Sequence, residues 1–344
     1  MAGPKVAVVG LGMGRGHARA AAENSKAELA ALCDVDEGKL ERYRTELECP
    51  KVYTDYKAML DAEELDIISV SLPNYLHKPV TIDALRAGAH VICEKPMAMN
   101  TAEAEEMKQV AEETGKHLMI NLSYRFTGAA KVLKRIVDAG TVGPVYFVRT
   151  GWNRARGIPK FGGWFAQKKL SGGGPLIDLG VHRIDLALML MGDPKPVTIS
   201  ASTYDHIGTR LAKEQNKPFD VEDLATAFIR FDSGATMHVE ASWALNTERA
   251  EEMFTYLYGT KAGLCHRNTG EGYDFEAYIF GEWGDTYVTS QIKDLPEREN
   301  SMDHFIDVVA DGVEPLVTAE NGVNVMRILD GAYESARLGR EIEV

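Results

Sequence analysis

At 344 residues the chain is long enough for two domains, and its ordinary apolar share contains no run suited to spanning a membrane. A formal net charge of -13 argues against non-specific binding of nucleic acid. Cys33, Cys49, Cys93 and Cys265 lie far apart without a CxxC pair, so neither a disulfide framework nor a zinc site is suggested. The N-terminus runs into a strand pattern without the features of a secretory leader, and a cytoplasmic protein is expected.

In chain order, residues 5–9 form a short apolar strand that ends in Gly10-Leu11-Gly12-Met13-Gly14-Arg15-Gly16-His17, and an Ala-rich helical pattern follows. Strand, glycine turn and helix N-terminus make up the context of a dinucleotide-binding turn. Glycines let the backbone approach a pyrophosphate, and the first N–H groups of the helix favour its charge. A strict GxGxxG is not met, because Arg15 stands in its last place; Gly14 or Gly16 must supply the close helix packing. The next strand, 28–33, ends at Asp34, where a carboxylate accepts the ribose hydroxyls of NAD and repels the 2′-phosphate of NADP. Lys39 and Arg42 nearby keep NADP as the less favoured alternative.

Strands at 52–53, 66–71, 90–93 and 117–122 alternate with helices at 55–60, 79–87 and 101–114. The pattern predicts an α/β fold with a doubly wound parallel sheet, in which ligands bind at the carboxyl ends of the strands. The segments Ser71-Leu72-Pro73-Asn74 with His77, and Glu94-Lys95-Pro96, fall at that edge. Lys95 there would place an ammonium where a substrate oxygen gains charge during hydride transfer. A surface lysine paired with Glu94 is the plainer alternative.

After Leu122 the alternation stops. Strand candidates at 145–152, 197–204, 224–231, 235–243 and 253–258 take over, with Asp232-Ser233-Gly234 as a hairpin signal. The loop 152–160 carries Arg154 and Arg156, and Trp164 precedes three glycines, Gly172 to Gly174, that mark a mobile or tightly approached loop. Pro175 then opens a helix that is apolar on almost every side. Asp178, His182 and Asp185 interrupt it at i, i+4 and i+7, which predicts one polar stripe. Either a cleft admits a polar substrate to that stripe, or the histidine is satisfied inside the core by Asp178. Helices at 301–311 and 321–338 close the chain.

This ordered set, with Tyr124-Arg125-Phe126, Gly143 and Gly180, resembles the GFO/IDH/MocA oxidoreductases, the glucose-fructose oxidoreductase and inositol dehydrogenase family, over essentially the whole chain. The glycine turn departs from the family's commoner form by one residue before its histidine. The resemblance implies a Rossmann domain at 1–123 and a substrate-binding and oligomerisation domain at 124–344, the latter α+β with an open, mainly antiparallel sheet. It implies NAD held by Gly10, Gly12, Met13, Gly14, Asp34, Ser71, Leu72, Pro73, Asn74, His77, Glu94 and Lys95. Lys95, Asp178 and His182 are the implied catalytic group. His182 acts as base and Lys95 polarises the oxygen, while Tyr124, Arg125, Arg156 and Trp164 join these three around the substrate. The expected substrate is a small carbohydrate or polyol, with a sugar nucleotide or sugar phosphate, or a non-catalytic sensor, as alternatives. No metal, nucleic acid or membrane is expected as a partner. A homodimer or homotetramer is, associating through a face of the second-domain sheet; Phe228, Phe231, Met237 and Trp243 lie on strands that could present that face, and the sequence does not give their facing.

Overall fold

The computed structural model describes residues 3–344 as two compact units. The first comprises the chain up to Leu122 together with Glu299–Val323, and the second comprises Ser123–Arg298 and Asn324–Val344. The return of 299–323 to the first unit departs from the sequence division, which leaves that stretch in the second.

In the first unit, strands β1 (Lys5–Val9), β2 (Glu28–Cys33), β3 (Lys51–Tyr53), β4 (Ile67–Val70), β5 (His90–Cys93) and β6 (Leu118–Ile120) form a sheet of order β3-β2-β1-β4-β5-β6. Every pairing is parallel. Val6 to Val9, Ile67, Ile68, Val91 and Ile92 are buried, as a sheet covered on both faces requires. Helices α1 (Arg15–Glu23), α2 (Glu37–Glu46), α3 (Tyr56–Ala62), α4 (His77–Arg86) and α5 (Thr101–Thr114) connect the strands. Asn100 caps α5 by accepting the Glu103 N–H, and Gly115 ends it in the left-handed conformation.

The second unit holds α6 (Gly128–Asp138), β7 (Val145–Arg154), the short α7 (Lys168–Ser171), α8 (Val181–Met191), β8 (Pro196–Tyr204), α9 (His206–Glu214) and β9 (Leu224–Phe231). There follow β10 (Thr236–Ser242), β11 (Glu251–Gly259), β12 (Ala262–Asn268), β13 (Phe275–Trp283) and β14 (Thr286–Ile292). Then come α10 (Ser301–Asp311), which lies in the first unit, α11 (Ala319–Leu338), which belongs to the first unit up to Val323 and to the second from Asn324, and β15 (Ile342–Glu343). The sheet order is β14-β13-β12-β11-β7-β10-β9-β8-β15, antiparallel except where β10 pairs with β7. Gly234, at φ +82°, turns the β9–β10 hairpin.

One face of this sheet packs under α6 and α8, and the strands alternate accordingly. Phe231, Met237 and Trp243 point into that covered face and are buried, which removes them from any association surface. Phe228 lies on the opposite, open face, half-buried under the Arg230 guanidinium.

Candidate active site

The cofactor edge of the first unit begins at Gly10. Its φ is +92°, and a Cβ there would stand 2.2 Å from the Ser71 carbonyl oxygen, so only glycine fits. Gly14 is equally confined, since a Cβ would stand 2.2 Å from the Gly10 carbonyl oxygen; Gly16 meets open space. The close packing therefore falls to Gly14. Gly12 also meets open space, and Met13 beside it is 70 % exposed. Helix α1 starts with neither a side-chain cap nor an acidic residue in its first turn, which suits it to an outside anion. These residues fit a dinucleotide pyrophosphate.

Asp34 ties this turn to the end of β2. One carboxylate oxygen accepts the Leu11 N–H at 2.7 Å and the other the Asp36 N–H at 2.9 Å, which leaves acceptor capacity for ribose hydroxyls. His77, named from the sequence as a cofactor contact, is fully buried, with Nδ1 2.7 Å from the Pro96 carbonyl and Nε2 2.8 Å from that of Leu72. It acts by stapling those two loops together. Burial lowers its pKa against the pull of the two carbonyls.

Beside it runs a buried network that sequence reasoning missed. The Asn121 amide donates to Glu94 at 2.7 Å and meets His17 Nε2 at 3.1 Å, and His17 Nδ1 lies 2.7 Å from Ser69 Oγ. Burial pushes the His17 pKa down against the attraction of Glu94. The neutral ring accepts at Nε2 and donates from Nδ1. Ser71 Oγ joins at 3.3 Å from Ser69 Oγ. Glu94 and Lys95 are both half-buried, Pro96 follows through a cis peptide bond, and Asn74 opens a single 3₁₀ turn after Pro73. The polar His17 on the Ala-rich helix α1 and Asn121 just after β6 were the available signal.

In the second unit, Pro175 opens the predicted helix as a π turn, Leu176–Gly180, before α8 begins. From Gly173 to Leu190 only Asp178 and His182 are not buried. Asp178 Oδ2 accepts the indole N–H of buried Trp243 at 3.1 Å. The His182 ring lies against Tyr124 and Trp152, with centroids 5.1 and 5.7 Å away. Trp152 in turn donates to Glu251 at 2.7 Å. Tyr124 is buried, which pushes its phenol up to about 12, and its ring carries the Arg183 guanidinium at 5.3 Å. An imidazole set against aromatic rings and a carboxylate held by an indole thus stand half-buried, four positions apart, on one helix. Trp152 and Trp243, both near strand ends, were missed by sequence reasoning.

Two expectations change. Asp185 does not share the stripe: it is buried, and its Oδ1 receives Arg125 Nε at 2.8 Å and Nη2 at 2.7 Å. The π turn rotates Asp178 away from the register that an unbroken α-helix would give. Arg125, expected at the substrate, is 3 % exposed and also bridges to Asp193 at 3.1 Å, so it is a structural cation. Trp164 is half-buried and stacks on Phe165. Arg156 is exposed and donates to the Leu245 carbonyl and to Asn246 at 2.8 Å, on the segment between β10 and β11.

Residues 4–122 match the profile described as the oxidoreductase family, NAD-binding Rossmann fold, and residues 130–265 match the GFO/IDH/MocA C-terminal domain. The chain belongs to the GFO/IDH/MocA oxidoreductase family. Its first unit is the family's NAD-binding domain, and the protein is an NAD(P)-dependent oxidoreductase. Among relatives of the same family, D-glucoside 3-dehydrogenase of Escherichia coli K12 is 32% identical, over 99% of this chain and 97% of that protein. The aldose-aldose oxidoreductase of Caulobacter crescentus, solved with glycerol, superposes with a TM-score of 0.83 at 27% identity, over 99% of this chain and 100% of that one. GenD2 from gentamicin A biosynthesis, solved with NAD, gives a TM-score of 0.81 at 26% identity, over 100% of this chain and 97% of that one. No helix among the described residues is long and apolar enough to cross a membrane.

Proposed function

We propose that this chain oxidises a secondary hydroxyl of a sugar, glycoside or cyclic polyol with NAD, or reduces the corresponding ketone. The observation that carries the reading is that Asp178 and His182 alone are only half-buried on an otherwise buried helix. His182 takes the hydroxyl proton in oxidation and returns it in reduction, since imidazole titrates near working pH. Asp178, fixed by Trp243, orients the imidazole or holds a neighbouring hydroxyl. Lys95 is assigned to the reacting oxygen, whose growing negative charge an ammonium stabilises. Bound NAD supplies the hydride acceptor. Gly10, Gly12, Met13, Gly14, Asp34 and the loops from Ser71 and Glu94 hold it.

Two observations narrow the substrate. Arg154, a candidate phosphate ligand, donates to Glu251 at 2.6 Å and stacks 5.1 Å over Trp152, so its charge is already matched. That favours an uncharged polyhydroxyl compound over a sugar phosphate or sugar nucleotide. The similarity to the glucoside dehydrogenase and the aldose-aldose oxidoreductase supports a carbohydrate. The open sheet face around Phe228 supports self-association into a homodimer or homotetramer, which sedimentation measures directly.

The test is NADH formation across methyl glucosides, anhydro sugars, inositols and sugar nucleotides, with NADP run alongside. Activity confined to uncharged sugars and polyols is the expected result. Tight NADH binding without turnover of any of them identifies a sensor instead. Normal turnover by His182→Asn or Lys95→Ala at saturating substrate removes the role given to that residue.

A further inference from the structure

The helix bearing Asp178 and His182 starts without a cap of its own. Its first N–H groups have no partner within the helix, and Pro175 contributes none. The partner comes from far along the chain. Glu222, just before β9, accepts the Gly174 N–H at 2.8 Å and the Leu176 N–H at 3.1 Å, one on each side of the proline. Tyr333, on α11, donates its hydroxyl to the same carboxylate at 2.8 Å.

This grip explains the glycines. A Cβ on Gly174 would stand 2.1 Å from the Glu222 carbonyl oxygen, and one on Gly173 would stand 2.1 Å from the Tyr333 hydroxyl. The loop is tightly approached, not mobile. Burial pushes the Glu222 carboxyl up, while the Gly174 N–H and the Tyr333 hydroxyl pull it down. Facing three donors, the ionised carboxylate is the form that satisfies them all.

The same stretch of chain reaches Asp178 by a second route. The Asp223 carbonyl accepts the Trp243 N–H at 2.9 Å, and the Trp243 indole donates to Asp178. The Asp178 N–H itself donates to the Gly174 carbonyl at 3.1 Å. Glu222 and Asp223 therefore hold the start of the π turn by one arm and its carboxylate by the other.

We propose that Glu222, with Tyr333 locking it, is a positioning residue for the acid–base pair: it sets the angle at which the π turn presents Asp178 beside His182. This rests on the dehydrogenase reading of that pair. Replacing the carboxylate by an amide leaves one oxygen for three donors and turns an N–H against another, so the helix start shifts. A displacement of about 1 Å at reacting groups costs on the order of 100-fold in rate.

The experiment compares wild type, Glu222→Gln, Tyr333→Phe and His182→Asn, using methyl β-D-glucoside in unlabelled and ring-deuterated forms. Turnover is expressed per NADH-binding site, so that misfolded protein does not count. The expected result for Glu222→Gln is a kcat lower by about 10- to 100-fold, a larger deuterium isotope effect on kcat, and a KM for NAD within about twofold of wild type. Tyr333→Phe moves the same quantities less. Wild-type kcat and isotope effect in Glu222→Gln overturn the proposal. So does activity lost only in proportion to NADH-binding sites, which marks a purely structural role. If Glu222→Gln binds no NADH, Tyr333→Phe decides, and wild-type values there overturn it. Where the glucoside is not turned over, the sugar or polyol of the panel that wild type does oxidise takes its place; a wild type inactive across the whole panel, or a fully active His182→Asn, removes the dehydrogenase reading itself.

Discussion

Replacing Arg125 by Met tests whether this arginine serves the fold or the substrate. Arg125 and Asp185 are 3 % and 1 % exposed, and the guanidinium reaches Asp185 at 2.8 and 2.7 Å and Asp193 at 3.1 Å. The apolar replacement leaves a buried carboxylate without its counter-ion, a loss of about 3–5 kcal/mol. At roughly 2–4 °C per kcal/mol for a domain of about 150–250 residues, the melting temperature falls by about 6–20 °C. The sign of the pH dependence follows from Asp185. Burial holds its folded pKa above the ordinary carboxylate range, with Arg125 pulling against it. A raised folded pKa favours folding below the unfolded value of about 3.9, and that contribution is lost as pH rises through the folded pKa. Without the guanidinium the folded pKa rises further, so the penalty of Arg125→Met grows as pH rises. Adding Asp185→Asn removes the charge and recovers part of the loss. Calorimetry at two pH values and a substrate KM within about twofold of wild type check the reasoning. Unchanged stability with a KM raised tenfold or more would refute it and return Arg125 to the substrate.

Three shorter predictions follow from the same geometry. Asp34→Ala removes the acceptor at the end of β2 and should move the NAD-to-NADP ratio of kcat/KM toward NADP by about tenfold or more; an unchanged ratio refutes the role. Gly10→Ala forces a Cβ against the Ser71 carbonyl at a φ costly for alanine, about 1–3 kcal/mol of strain. NADH titration should then show cofactor binding weakened at least several-fold, and wild-type affinity would count against the cradle. Trp243→Phe keeps most of the buried ring but deletes the N–H given to Asp178, a hydrogen bond to a charged group worth about 1.5–3 kcal/mol. kcat should fall about tenfold with the KM for NAD held, and equal loss in both would point to general unfolding.

The first unit was legible because its strands are buried on both faces and read as unbroken apolar runs, and its helices carry their own start and stop signals, as Asn100 and Gly115 do for α5. Much of the second was not. Strand β14 is exposed along nearly its whole length, so no alternation marks it, and β12 mixes Cys265, His266, Arg267 and Asn268. The return of Glu299–Val323 to the first unit has no local signature at all. It depends on contacts such as Asn24 with Asp303 at 2.7 Å and Lys26 with Asp307, which link residues some 280 positions apart.

At the site, side-chain type was legible and partnership was not. Helical spacing places Asp178, His182 and Asp185 on one stripe only if every turn closes at 3.6 residues. A π turn has weak local propensity; here Glu222 and Trp243, 44 and 65 positions beyond Asp178, hold it from outside. That insertion parts the stripe. Asp185 turns inward to Arg125, 60 positions before it, and the two cancel each other in the core. Asp178 and His182 stay half-buried while their neighbours on the helix are buried. A charged residue on a buried helix is thus sorted by whether the same chain brings it a counter-charge. Where it does, as Arg125 does for Asp185, the pair serves the fold; Asp178 and His182, set against the Trp243 indole and the Tyr124 and Trp152 rings, stay partly open, as the proposed proton transfer requires.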